Sequence, residues 1–450
     1  MKYIYADNFR GFSDTIIPIA DVNFLVGENS SGKTSFLTML RMLSGSVSKA
    51  ISGSPFSANA PDLSAPDDSI DGINFSDFLE LVSAHAADKS YFRLGIVDEG
   101  RRGKSKVGTG ILVTFREENG QPAFSQITTM NGKLEISIKF LSEKYKFKIR
   151  EILPPKTAEE MRDVLCEWAK QHREDDDESW KSFSFPDNIP IQSAPIVLLI
   201  AMIASSAGVK NINFEMPPVP PNLIWIAPIR TKLRRTYDEA FRSYSSEGSH
   251  TPYVIRRMLK SKDGAKKFGD FMEQVGRDSG LFEKIDIHVY GEGDDDRSPF
   301  EVDAILDNKA LNLRWMGYGV SQSLPIFVEL LDRKEGSWFG IQQPEVHLHP
   351  RAQACLGDVF FQMANLDKKR FIVETHSDFT IDRFRMNYRG KFTTKQREKL
   401  PHSQIIFFER KNGQNTVTPL AIDAHGELPS DQPDSYRNFF IKEQMRLLEL

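Results

Sequence analysis

The 450-residue chain is 40% hydrophobic and 27% charged, enough apolar material for one large core or two, and its formal charge of -4 excludes a wholly basic wrapper of nucleic acid. Its two cysteines, Cys166 and Cys355, form no disulfide framework and suit a reducing cytosol. The longest apolar run, 194–204, is too short to span a bilayer and reads as a core helix, and no signal-peptide pattern precedes the strand-like residues 2–5. A cytoplasmic protein without membrane insertion is therefore expected.

In chain order, residues 2–45 read as strand, turn (Asn8-Phe9-Arg10-Gly11-Phe12), strand, glycine-rich loop and helix. The loop Gly27-Glu28-Asn29-Ser30-Ser31-Gly32-Lys33-Thr34 fits the pattern G-x-x-x-x-G-K-[ST] at every fixed position. A buried-strand run at 22–26 precedes it and helical apolar spacing follows from Ser35, so the loop opens a helix whose N-terminus favours phosphate. Lys33 is expected on the β- and γ-phosphates of ATP and the Thr34 hydroxyl on Mg²⁺, with Gly27 to Ser35 as the nucleotide contacts.

Residues 46–71 are rich in Ser, Ala, Pro and Asp and read as a long surface loop. Between 91 and 150 apolar and polar residues alternate, with Asn119-Gly120 and Asn131-Gly132 as tight turns, which predicts an antiparallel sheet. A charged helix around 157–171 and an acidic, solvated run at 174–178 follow, and the chain returns to the core at 223–227.

The second half begins its chemistry with a hairpin-like stretch, 300–315, running into Gly317-Tyr318-Gly319-Val320-Ser321-Gln322 and an apolar helix at 324–331 with Pro325 in its first turn. This loop lacks a lysine, so it would supply half of a phosphate site to another molecule. A strand at 338–341 runs into Gln342-Gln343-Pro344-Glu345-Val346-His347-Leu348-His349-Pro350, and after a helix of about fifteen residues comes Phe371-Ile372-Val373-Glu374-Thr375-His376-Ser377. Strand, helix and strand make a βαβ unit and a parallel sheet.

Taken together in this order, the Asn8 to Phe12 turn, the P-loop, the Gly317 to Gln322 loop, the Gln343 to Pro350 run and the Glu374-Thr375-His376-Ser377 segment resemble an ABC-type ATPase of the SMC, RecF and OLD group. Within that group the Pro-Glu-x-His-Leu-His-Pro form and the late Gly426-Glu427-Leu428-Pro429 with Phe439-Phe440 are similar to the stand-alone ATPases of bacterial anti-phage systems such as Septu and PARIS. The resemblance implies an α/β fold: one ATPase head with a mixed sheet formed by residues 1–45 and 220–450, and an insertion at 46–220 with an antiparallel part near 91–150 and a helical part near 155–210. It implies Walker A at Gly27 to Thr34, a signature loop at Gly317 to Gln322 in which Gly317, Gly319, Ser321 and Gln322 meet nucleotide, a Walker B region at Gln342 to Glu345, and His376 as the γ-phosphate sensor. It also implies a homodimer or larger oligomer whose heads sandwich ATP.

One departure stands out. A Walker B strand of this group ends in two acids, and here the matching positions are Gln342, expected near the metal with Thr34, and Gln343. Neither can act as a base, which leaves Glu345 as the nearest carboxylate and predicts slow hydrolysis. His347 and His349 read as loop residues, and Asp294, Asp295 and Asp296 as an exposed turn. Some seventy residues follow His376 without the toprim nuclease domain of the OLD nucleases, so a separate effector is expected as partner. Basic clusters at Arg230 to Arg235, Arg256 to Lys267 and Arg383 to Lys399 suit either nucleic acid or an ordinary solvated surface. Two functions remain open: a sensor or scaffold ATPase of phage defence, and a RecF-like ATPase that clamps DNA for repair.

Overall fold

The computed structural model describes residues 2–44, 77–98, 109–131, 134–141, 145–152, 180–183, 196–206, 223–239, 242–291 and 298–439, with single positions among 160–167 and at 208. Its strands are β1 (Lys2–Asp7), β2 (Thr15–Ile19), β3 (Val22–Gly27), β4 (Tyr91–Asp98), β5 (Thr109–Glu118), β6 (Gln121–Asn131), β7 (Leu134–Phe140), β8 (Tyr145–Glu151) and β9 (Lys181–Phe183) in the first half. The second half adds β10 (Leu223–Ile226), β11 (Lys284–Val289), β12 (Phe300–Leu306), β13 (Lys309–Asn312), β14 (Trp338–Gln342), β15 (Arg370–Glu374), β16 (Ser403–Lys411) and β17 (Gln414–Ile422). The helices are α1 (Lys33–Met42), α2 (Ile196–Ser206), α3 (Thr251–Lys260), α4 (Lys262–Ser279), α5 (Tyr318–Asp332), α6 (Pro350–Leu366), α7 (Asp378–Met386) and α8 (Thr394–Arg397).

Among the described residues the strands form three sheets. The central one has six strands in the order β10-β14-β15-β3-β16-β17, parallel except for β17. Its interior strands are apolar on both faces, as a sheet covered on both sides requires. In β3 the period-two alternation is plain: Val22, Phe24 and Val26 pack into one core with α3 to α7, while Leu25 faces a second core containing α1. Asn23 shares that second face, wholly buried, and is satisfied by the backbone of Ala20 and Phe371 and by Gln404.

The second core lies between the central sheet and an antiparallel sheet of eight strands, β2-β1-β4-β5-β6-β7-β8-β9, with α1 clasped between them. Phe36, Leu37, Met39 and Leu40 of α1 are buried there, each contributing roughly 1.5–3 kcal/mol by leaving water. The antiparallel sheet is therefore larger than the 91–150 segment that predicts it, because β1 and β2 join it by pairing with each other and with β4. At the β1–β4 register pair Asp7 and Arg93, a buried ion pair of 2.5 Å locks the N-terminal strand in place. Asn119 and Gly120, at φ 54° and 80°, make the two-residue turn between β5 and β6. The third sheet, β11-β12-β13, contains the expected hairpin near 300–315.

One expected boundary is wrong. The helix assigned to 324–331 begins at Tyr318, with Gly317 as its N-cap, so Pro325 lies inside it and the presumed signature loop is the first turn of α5. Its glycines make that turn look like loop, but Val320, Leu324 and Phe327 are buried at helical spacing and decide the matter. The core helix expected at 194–204 is α2, at Ile196–Ser206. The surface loop at 46–71, the acidic run at 174–178 and the Asp294 to Asp296 turn lie outside the described residues, as does most of the helix expected at 157–171.

Candidate functional site

The P-loop joins β3, an interior strand of the central sheet, to α1. Its two conserved-pattern glycines are fixed by close approach: at Gly27 (φ 149°) a Cβ would lie 2.2 Å from the Phe408 carbonyl, and at Gly32 (φ 107°) 2.5 Å from the Asn415 amide. Gly32 caps α1 in the left-handed region without a side-chain cap, and no acid occupies the helix's first turn. The first N–H groups of α1 are thus left for an anion. Lys33 is buried, and its Nζ donates to the carbonyls of Gly27 (2.7 Å) and Glu28 (2.8 Å). Burial lowers its pKa against the opposing pull of Glu374 and Glu28. An ammonium has three donors, so one remains for a phosphate oxygen. Among the described residues Ser31 Oγ is buried with no hydrogen-bond partner, an orphaned donor that a phosphate would satisfy. The loop therefore suits a nucleotide phosphate chain.

Above the loop opens a cavity of about 530 Å³, of a size suited to a mononucleotide. Asn29, Ser30, Gly32, Lys33, Thr34 and Ser35 line one side, and Gln343 and Glu374 the other. The far end is closed by Arg10, by Leu79, Val82 and His85 beside the antiparallel sheet, and by Arg410 and Asn415 at the β16–β17 turn. Arg10, at φ 42°, donates to the Glu80 carbonyl (3.0 Å) and reaches Thr38 Oγ1 at 3.4 Å, while Asn415 donates to the Arg10 carbonyl (3.0 Å). Arg10, Arg410 and Asn415 were not singled out as site residues from sequence, although the Asn8 to Phe12 turn that carries Arg10 was.

The wall opposite the P-loop is assembled from the ends of β14 and β15. Gln342 Nε2 donates to Glu374 Oε2 (3.0 Å), and Thr34 Oγ1 lies 3.5 Å from Glu374 Oε1. Glu374 is thus the carboxylate on this wall of the cavity, with Glu80 at the far end, and it is a residue that sequence reasoning passes over for its neighbour His376. Gln343, at φ 42°, faces the cavity with its N–H bonded to the Glu374 carbonyl at 2.8 Å. Glu345 does not line the cavity. Its carboxylate accepts from Thr375 Oγ1 (2.9 Å) and from the His376 N–H (2.7 Å), clamping the turn after β15. Burial raises the Glu345 pKa, opposed by those bonds and by Arg230. His376 is half-buried, and burial together with the Lys33 charge lowers its pKa against the pull of Glu374. That coupling places the ring within the field of the P-loop lysine.

The signature segment lies apart from this cavity: none of Gly317, Gly319, Ser321 and Gln322 lines it. Gly317 faces open space, whereas Gly319 abuts the His347 carbonyl. Ser321 Oγ donates to the Tyr318 carbonyl (2.9 Å). Gln322 is buried, its side chain bonded to both the N–H (3.1 Å) and the carbonyl (3.2 Å) of Arg230, so it braces the loop after β10. Around the start of α5, Trp315 and Tyr318 are 73% and 62% exposed. His347 packs its ring against Tyr318, and His349 caps α6 by accepting from the Ala352 N–H, which are loop and capping roles.

The basic clusters divide. Arg230 and Arg256 are buried, the latter donating to the Ser298 carbonyl (2.8 Å). Arg383, Arg385 and Arg389 pair with Asp358, Asp382 and Glu427, and Arg397 donates to the Tyr388 and Ala424 carbonyls. Lys391, Lys395 and Lys399 are exposed.

A P-loop on an interior strand of a parallel sheet, flanked by β15 and covered by an antiparallel lobe that clasps its helix, makes this a P-loop α/β domain built to hold a nucleotide. Two family models match the chain: AAA ATPase domain over residues 1–183, and AAA domain, putative AbiEii toxin, Type IV TA system, over residues 239–382. No curated protein matches. Among solved structures the chain is similar to the Smc head domain with an extended coiled coil derived from Pyrococcus furiosus, at 11% identity, covering 99% of this chain and 100% of that one with a TM-score of 0.39. It is also similar to the SMC head domain from Thermotoga maritima (10% identity, 93% and 97% covered, TM-score 0.35) and to the recombination mediator RecF (11%, 92% and 97%, 0.29).

Proposed function

We propose that this ATPase binds ATP with Mg²⁺ in the P-loop cleft, turns it over slowly, and serves as the sensor and scaffold subunit of a bacterial anti-phage system controlling a separate effector, a nuclease. The observation that carries the slow turnover is Gln343, the residue of the Walker B region that faces the cavity. A carboxamide can orient an attacking water but cannot take its proton at pH 7. The loop amides and Lys33 would hold the phosphates, the Thr34 hydroxyl oxygen would hold the cation, and His376 would read the terminal phosphate. Glu345 supports turnover through its hold on the His376 amide. Bound Mg²⁺ would supply charge neutralisation at the phosphates.

Two heads pairing around ATP is supported by the open N-terminus of α5 at Gly317 and by the exposed rings of Trp315 and Tyr318 beside it. The defence role is supported by the family description that names a putative toxin of a toxin–antitoxin system and by the Pro344 to Pro350 run. Turnover of the full-length protein with Mg²⁺ tests the first part: rapid multiple turnover that persists in Glu345→Gln would refute it. Plating efficiency of phage on cells carrying the gene and its neighbours, with and without Lys33→Ala, tests the second. The exposed lysines at 391, 395 and 399 favour a second reading, DNA clamping by RecF-like head closure. Salt-sensitive DNA binding that requires ATP and those lysines, with no phage phenotype, would select it.

A further inference from the structure

The acid missing from β14 stands one strand away. Gln342 and Glu374 are register partners in the parallel β14–β15 pair, so their side chains leave the sheet on the same face and end side by side. Glu374 is 5% exposed, and besides the Gln342 amide at 3.0 Å its described company is the Thr34 hydroxyl at 3.5 Å. A carboxylate so buried, held by one neutral amide, a distant hydroxyl and the through-space charge of Lys33 with which it forms no described ion pair, leaves room for a further positive charge beside it. It lines the cavity with Lys33 and Thr34, and Lys33 already spends two of its donors on the backbone. A divalent cation beside Thr34 would supply that further charge.

We propose that Glu374 is the protein carboxylate that holds the Mg²⁺ of the nucleotide site, with Thr34, and that Gln342 is a positioning residue that orients it through Nε2. The site has not lost its acid; the acid has crossed from the end of one strand to the end of the next. Because the register sets the two side chains together, the exchange leaves the charge on the same wall of the cleft. This inference rests on the ATPase reading above.

The test uses the full-length protein, a fluorescent non-hydrolysable ATP analogue titrated in Mg²⁺ and in EDTA, and Mn²⁺ binding to the nucleotide complex followed by electron paramagnetic resonance. Glu374→Gln is expected to weaken Mn²⁺ by about ten- to hundredfold while analogue affinity in EDTA is unchanged or higher, since a negative charge has left the phosphates' side. The exchanged variant, Gln342→Glu with Glu374→Gln, is expected to regain Mn²⁺ binding. Unaltered Mn²⁺ affinity in the single variant, an equal loss of analogue affinity in EDTA, or no recovery in the double variant would each overturn the assignment and leave Glu374 a counter-charge to Lys33. If melting shows that Glu374→Gln does not fold, Glu374→Asp takes its place: weaker Mn²⁺ with unaltered EDTA affinity supports the proposal, and unaltered Mn²⁺ affinity defeats it. A wild-type protein that binds no analogue under any condition would instead defeat the ATPase reading.

Discussion

The two walls of the nucleotide cleft are built by opposite means. One is a single stretch, Gly27 to Ser35, whose shape follows from two glycines and a helix start. The other is put together from residues more than thirty positions apart, Gln342 and Gln343 at the end of β14 and Glu374 to His376 at the end of β15, and their meeting depends on strand register. A contiguous wall has its shape set within a few residues. An assembled wall can carry a carboxylate at the end of either neighbouring strand, and the role proposed for Glu374 beside Gln342 uses that freedom.

The contrast can be broken most sharply at Lys33. Lys33→Ala should weaken ATP about ten- to hundredfold, given one charge-assisted bond worth roughly 1.5–3 kcal/mol, with the overall fold held, because Nζ bonds only to loop carbonyls. Equilibrium titration with labelled ATP reads this, and unchanged affinity would remove the P-loop from the site. Gly32→Ala comes next: a Cβ at φ 107° and 2.5 Å from Asn415 should cost about 1–3 kcal/mol of strain, seen as roughly ten- to hundredfold weaker ATP.

On the assembled wall the effects should be smaller and should fall on turnover. Glu345→Gln keeps an acceptor for one of its two donors, so single-turnover hydrolysis should fall about tenfold, as for a lost hydrogen bond of about 1.5 kcal/mol, with ATP affinity unmoved. Gln343→Glu should raise turnover by about tenfold, less than a fully positioned base supplies; no change would mean that water is activated elsewhere. The pH profile is the mildest probe. The His376 pKa lies below its ordinary value of 6.5, so the ring stays neutral through that pH and protonates only further down. Turnover should accordingly be level from pH 8 to 6.5 and decline only below, and a break above 6.5 would show that His376 is not the titrating group.

What could be read from the chain follows the same division. The P-loop, the βαβ unit and the antiparallel lobe announce themselves through local pattern, because glycine spacing and period-two alternation act within a few residues. Glu374 does not, since nothing local shows that its partner in register is Gln342. The start of α5 was misplaced for a different reason: Gly317 and Gly319 read as loop, and only the burial of Val320 and Leu324 carries the helix back to Tyr318. The side-chain partners of Gln322, Arg383 and Arg389 lie 92, 25 and 38 positions away, so local pattern does not show how these residues are engaged within the chain.

The neighbours of β3 in the sheet have a consequence for how the protein is made. The P-loop strand pairs with β15 and β16, and the Gly32 turn rests on Asn415, so the cradle's supports lie some 350 to 380 residues downstream of it. A ribosome at 5–20 residues per second would need roughly 20–80 seconds to supply them. Until then β3 has no strand beside it, and the pairing it awaits closes a very long loop, the slow kind of contact. The nucleotide site is therefore among the last parts of the molecule to form, and a chain cut short before residue 370 would carry an intact Walker A stretch with neither neighbouring strand to hold it.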